Sequence, residues 1–199
     1  MKIVVIGATG TLGRAIVAEL GVRHEVIRVG RQRGDLLADI TDQGSVDALF
    51  EKLGRVDAIV SAAGNLYFGP VATTTAEQFN IGLQDKLLGQ VRVALTGQHY
   101  LNDGGSITLT TGIVAEEPIR GGSNATAVNS AVEGFVRAAA IELVRGQRIN
   151  AVSPTVLTES ADTYGPFFPG YDSVPAAKAA KAYVRSVEGP QTGRIYRVW

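Results

Sequence analysis

The segment Gly7-Ala8-Thr9-Gly10-Thr11-Leu12-Gly13 follows a short, wholly apolar run, Ile3-Val4-Val5-Ile6. It opens a stretch with helical spacing in which Leu12, Ile16, Val17 and Leu20 share one face. A glycine-rich turn between a buried strand and a helix constrains this chain more than any other feature, because it is how a βαβ unit begins. The rest of the sequence keeps the alternation. Apolar and β-branched runs predict strands over residues 26–29, 58–62, 105–110, 149–152 and 193–198. Helical periodicity predicts helices over residues 45–53, most of 76–100, 125–144 and 175–186, with Ser45 as a cap and Arg145-Gly146 as a stop signal. Strands alternating with helices predict an α/β fold: one Rossmann-type doubly wound parallel sheet with helices on both faces, a single domain spanning residues 1–199. Such sheets bind ligands beyond the carboxyl ends of their strands, where strand order reverses.

The glycine turn carries its own chemistry. Gly7 and Gly10 allow a tight turn and close backbone approach to a pyrophosphate, and Gly13 allows the helix to lie close to the sheet. Thr9, Thr11 and Leu12 complete the loop, and the helix start offers unpaired N–H groups and partial positive charge to an anion. A dinucleotide is the expected ligand. For NAD a carboxylate is expected roughly 20 residues beyond the glycines. Here the second strand ends Val29-Gly30-Arg31-Gln32-Arg33, with Arg31 and Arg33 in place of an acid. Guanidinium groups clamp a 2′-phosphate through paired hydrogen bonds, so NADP(H) is the expected form.

Composition excludes several other functions. The formal net charge is zero, which disfavours nucleic acid as a partner. Cysteine is absent, so disulfides and thiol catalysis are impossible. The two histidines, His24 and His99, have no metal-ligand spacing, and no metal site is expected. No run approaches the roughly 20 apolar residues of a membrane span, and the apolar N-terminal run is too short for a signal-peptide core. A cytoplasmic protein with no membrane partner is the expectation.

Further motifs, taken in order, make the chain similar to the short-chain dehydrogenase/reductase family along nearly its whole length. Gly7 to Gly13 resembles the family's glycine loop. Asp39-Ile40-Thr41-Asp42 resembles its adenine-contacting turn, and Ser61-Ala62-Ala63-Gly64 sits where the family has Asn-Asn-Ala-Gly. Pro154, Val156 and Thr158 fall in the loop that meets the nicotinamide end, and Thr192-Gly193-Arg194-Ile195-Tyr196 resembles the last-strand motif. The resemblance implies that Asp39, Ile40, Ala62, Ala63, Gly64, Pro154, Val156 and Thr158 join the glycine loop, Arg31 and Arg33 in holding the cofactor. It also implies a homodimer or homotetramer built on the fourth and fifth helices. The apolar fifth-helix face of Val132, Val136, Ala139 and Leu143 either joins that seam or packs on the sheet.

The departures fall on the chemistry. Family enzymes carry a Tyr and a Lys one turn apart on the fifth helix, a Ser after the preceding strand and an Asn on the fourth helix. Alignment places Thr126 at the Tyr position, Ser130 at the Lys position, Thr111 at the Ser position and Lys86 at the Asn position. Thr126 and Ser130 keep the spacing without the acidity, since an aliphatic hydroxyl does not ionise near neutral pH. Lys86 is the expected substitute, a lysine partly desolvated beside the cofactor. Tyr67 is a second aromatic near the pocket, though a cover for the core suits it better. Asn129 shares the Thr126–Ser130 face, and His99 has no expected role. Residues 164–171, rich in aromatics and proline, are expected to form a lid over the substrate. Two functions follow: an NADP(H)-dependent oxidoreductase of a small carbonyl or alcohol with an altered catalytic set, or a non-catalytic NADP(H)-binding sensor.

Overall fold

The computed structural model describes residues 1–199. Seven strands form one parallel sheet: β1 (Lys2–Ile6), β2 (Glu25–Gly30), β3 (Leu36–Leu37), β4 (Val56–Ser61), β5 (Leu101–Thr110), β6 (Arg148–Pro154) and β7 (Ile195–Val198). Their order is β3-β2-β1-β4-β5-β6-β7, so the direction of winding reverses between β1 and β4. Register follows from burial on both faces. Ile3 pairs with Val26 on one side and Ala58 on the other, and Val4 with Ile27 and Ile59. A slip by one residue would turn each strand's core set over.

The pleat sends alternate β1 side chains into two separate cores. Val4 and Ile6 join Phe50, Val93 and Val136 beneath α2 (Gln43–Leu53), α4 (Gly89–Gly97) and α5 (Ser123–Ala139). Ile3 and Val5 join Ile16, Leu20, Ala180 and Tyr183 beneath α1 (Thr11–Leu20) and α7 (Ala176–Glu188). The doubly wound architecture is as expected. Two short helices, α3 (Ala76–Gly82) and α6 (Ala161–Tyr164), complete the set.

Element boundaries differ in instructive ways. The α2 cap is Asp42, whose carboxylate accepts from the Gly44 and Ser45 amides, while Ser45 turns back to bind the Asp39 amide. The fifth helix ends at Ala139 rather than residue 144, and Arg145 and Gly146 follow with positive φ of 56° and 68°. The expected helix over residues 76–100 is interrupted by a π-helical stretch, Leu83–Leu88, between α3 and α4. The two-residue β3 escaped the periodicity argument because it is too short to show a period. Of the apolar fifth-helix face, Val132 and Val136 pack wholly buried on the sheet, the second of the two placements expected for them, and so are not available as a seam. No helix is long and apolar enough to cross a membrane.

Candidate active site

At the reversal point the first glycine loop sits under the end of β4. Gly7 has φ of 82°, and a Cβ there would lie 2.6 Å from the Ala62 carbonyl oxygen. At Gly13 a Cβ would lie 2.0 Å from the Gly7 carbonyl oxygen, so any side chain would push α1 off the loop. Gly10 is the α1 N-cap and has no side chain to satisfy the first-turn amides. These amides are therefore free to receive an anion. Gly30 brings the second loop in, since a Cβ there would lie 3.2 Å from Thr9 Oγ1. The loops carrying Gly7 to Gly13, Gly30 to Arg33 and Ala62 to Gly64 thus converge on one cleft.

The arginines of that cleft are unequally committed. Arg31 donates to Asp39 Oδ1 at 3.0 Å, and both are solvent-accessible. The Thr41 hydroxyl and amide, with smaller help from Arg31, hold the Asp39 carboxyl below its ordinary range. Arg28 is paired with Asp35 at 2.6 Å, and Arg14 donates to the Thr9 carbonyl at 2.7 Å. Arg33 has no ion-pair partner, and with Arg14, Arg28 and Thr9 it borders a 450 Å³ concavity beside α1. Ile40 turns into the core against Gly89, where a Cβ would lie 2.7 Å from Ile40 Cδ1. The turn expected to meet adenine therefore offers Asp39 and backbone rather than the Ile40 side chain.

A second cavity, about 170 Å³, lies beyond the ends of β5 and β6. Its polar lining includes Lys86, Thr111 and Asn129, all at most 8% exposed. Its apolar cover includes Phe68, Tyr164 and Phe168. Phe68 packs on Tyr164 and Phe167 with ring centroids 5.9 and 5.1 Å apart, so residues 164–171 do close over the site. Pro154 and Val156 also line it. Thr158 does not: it is exposed, and its hydroxyl meets Ser173 Oγ at 3.1 Å. Tyr67 lies outside the lining, tied by its amide to Asn124 Oδ1 at 2.9 Å.

Lys86 comes from the π-helical stretch, whose widened turn is a feature found often at functional sites. Gly64, at φ of 128°, makes room for it, since a Cβ there would lie 2.7 Å from Lys86 Cα, Cβ and Cγ. The ammonium makes one protein contact, a 3.4 Å approach to the Thr111 carbonyl. Burial pulls its pKa down to about 8. One turn on, Gln90 pins the end of β5: its amide donates to the Thr110 carbonyl at 2.9 Å and accepts from the Thr110 amide at 2.8 Å. It supplies the partner that β4 no longer offers once that strand has ended.

On α5 the cavity face is one residue away from the expected one. Asn129 lines the cavity, and Ala125, one turn earlier, packs with Ile113 and Val114. Ser130 is exposed on the neighbouring face, donating to the Ala115 carbonyl at 3.2 Å. Thr126 is half-buried outside the lining, with its hydroxyl oxygen enclosed and unpartnered. The structure therefore does not bring Thr126 and Ser130 to the site. A helix turns about 100° per residue, so Asn129 and its neighbour Ser130 point to different faces. Asn129 Oδ1 is buried without a partner, while its Nδ2 donates to the Ala125 carbonyl. Glu133, one turn further, is 3% exposed and accepts from Thr111 Oγ1 at 3.2 Å. It escaped notice because an isolated Glu on a helix ordinarily faces solvent.

A doubly wound sheet with a glycine loop at its switch point and a polar cavity beyond β5 and β6 is the architecture of Rossmann-type dinucleotide-binding domains. The chain belongs to the short-chain dehydrogenase/reductase family, whose members use a nicotinamide cofactor: residues 14–188 match the family profile described as enoyl-(acyl carrier protein) reductase. The crystal structure of the protein lin1944 from Listeria innocua is 50% identical and superimposes with a TM-score of 0.98, each chain covered fully. A small-chain dehydrogenase crystallised in complex with NADPH is 28% identical, with a TM-score of 0.89 over 100% of this chain and 96% of that one. Hydroxynaphthalene reductase arp2 from Aspergillus fumigatus is 30% identical over 131 residues, 63% of this chain and 48% of the relative. The chain spans about half the length of curated relatives of this kind.

Proposed function

We propose that the protein is an NADP(H)-dependent reductase or dehydrogenase of a small carbonyl or alcohol, with Lys86 as the group that exchanges the proton. The observation that carries this reading is the buried Lys86 ammonium, which shares a cavity with the Thr111 hydroxyl and the unpartnered Asn129 carbonyl. The α5 segment, Ser123–Ala139, contains neither tyrosine nor lysine. An ammonium with a pKa of about 8 stays mostly protonated at neutrality yet gives up its proton far more readily than an ordinary lysine, which suits a general acid.

The free α1 amides and the Gly7–Gly13 cradle fit a pyrophosphate, and Arg31 and Arg33 fit a 2′-phosphate. NADPH in a solved relative supports the same choice. When bound, the nicotinamide supplies or accepts the hydride. Thr111 orients the substrate oxygen, Lys86 delivers its proton during reduction, and Asn129 accepts from a ligand hydroxyl. Phe68, Tyr164 and Phe168 exclude water. We extend the proposal to a cytoplasmic homodimer or homotetramer, which the family resemblance implies.

The test is Lys86→Met. Turnover of NADPH with a panel of small carbonyls should fall by about 10²- to 10⁴-fold. Stability at pH 7 should rise by up to about 3 kcal/mol, because the buried ammonium binds its proton more weakly than in the unfolded chain. That penalty is full below pH about 8 and fades between 8 and 10.5. A variant that turns over normally removes Lys86 from the chemistry. Wild-type protein that binds NADPH but reduces nothing is the sensor.

A further inference from the structure

Glu133 is a carboxylate that the fold has no evident need to bury. Its Oε1 lies 3.2 Å from Thr111 Oγ1, and its Oε2 accepts from Arg137 at 2.9 Å one turn along α5. Arg137 is largely exposed, so the pair runs from the cavity wall to solvent. Thr111 Oγ1 has a second acceptor nearby, the Val152 carbonyl at 3.5 Å. A hydroxyl carries one proton and can point it in only one direction.

We propose that Glu133 is a positioning residue whose protonation state decides whether Thr111 donates to, or accepts from, the ligand in the cavity. This rests on the reductase reading for its consequence but not for its geometry. With Glu133 ionised, Thr111 donates to Oε1 and turns only lone pairs toward the cavity. With Glu133 protonated, the carboxyl O–H donates to Thr111 Oγ1, and the threonine proton is released toward the substrate oxygen. A carbonyl oxygen gathering negative charge during reduction needs a donor. Reduction therefore uses the protonated state.

The surroundings shift Glu133 toward that state. Burial raises the Glu133 pKa, against the Thr111 hydrogen bond and the attraction of Arg137. Glu116, from the loop after the Ile113–Ala115 turn, raises it further. Arg197 of β7 faces the pair from the opposite side but is held bidentate by Glu116 at 2.7 Å. Lys86 stands on the other side of Thr111, against its carbonyl.

The experiment uses the full chain saturated with NADPH. An infrared titration follows the carboxylic-acid C=O band that disappears in Glu133→Gln. Its midpoint should lie above the ordinary carboxylate range and move higher in both Thr111→Val and Arg137→Ala, since each removes a group that favours the anion. In carbonyl reduction, kcat/KM of the wild type should fall about tenfold per pH unit above that midpoint, and Glu133→Gln should lose this limb while keeping the Lys86 limb near pH 8. An ordinary midpoint, or one unmoved by Thr111→Val, overturns the proposal, as does a pH limb that survives Glu133→Gln. If no carbonyl turns over at all, the reductase reading fails, and the infrared midpoints still decide whether the two side chains are coupled.

Discussion

The two ends of the ligand cleft are built on different principles. At the end proposed to hold the diphosphate the available groups are backbone amides, and what the sequence must supply is space. Gly7, Gly10 and Gly13 do so, and their side-chain identities admit little variation because backbone carbonyls lie 2.6 and 2.0 Å from where Cβ atoms would sit at Gly7 and Gly13. At the end proposed for proton transfer the groups are side chains on three elements: Lys86 from the π-helical stretch, Thr111 from the end of β5, and Asn129 from α5, with Glu133 of the same helix behind Thr111. Here no comparable backbone clash fixes the residue types, so a steric motif such as the glycine loop is readable where a side-chain constellation is not.

Substitutions at the two ends should therefore fail differently. The largest effect is expected for Gly13→Val, which forces overlap with the Gly7 carbonyl. NADPH affinity should fall by more than 10²-fold and the fold should lose about 1–3 kcal/mol, measured by calorimetry and by denaturant unfolding. Retained affinity would show that α1 need not lie close to the loop. Next comes Asn129→Leu, which replaces an amide having one buried unpartnered acceptor with an apolar side chain of similar size. Turnover should drop about tenfold or more while stability stays the same or improves, as expected where a polar group is kept for ligand rather than for packing. A stability loss with normal turnover would assign Asn129 to the helix instead. The smallest effect is expected for Ser130→Ala, within about 0.5 kcal/mol and with unchanged kcat/KM, because Ser130 is exposed and bound only to the Ala115 carbonyl. A large loss of turnover there would restore the other phase of α5.

The contrast also explains which parts could be read from the chain. The unbroken apolar run Ile3 to Ile6 and the period-3.6 pattern of Leu12 to Leu20 report burial directly, so the doubly wound sheet was accessible. The glycine loop was accessible because its constraint is steric and local. The α5 face was harder. Asn129 and Ser130 are adjacent, and only packing of Ala125 against Ile113 and Val114 decides which of them turns inward. The π-helical stretch changes phase midway through a helical pattern, so its inward lysine cannot be placed by counting alone. Glu133 was the least visible, since its burial depends on Thr111 and Arg137 meeting it from two directions. Arg31 was legible as a cation, but its pairing with Asp39 was not.

That pairing makes the arginine loop the point at which the cofactor assignment is most exposed. A 2′-phosphate must draw Arg31 from Asp39 or recruit the unpaired Arg33. Calorimetric titration of NADPH and NADH into wild type and Arg31→Ala measures this directly. NADPH should bind the wild type at least tenfold more tightly than NADH, and the variant should lose most of that preference while its NADH affinity stays unchanged. Equal affinities in the wild type, or no heat with either nucleotide, would contradict the account.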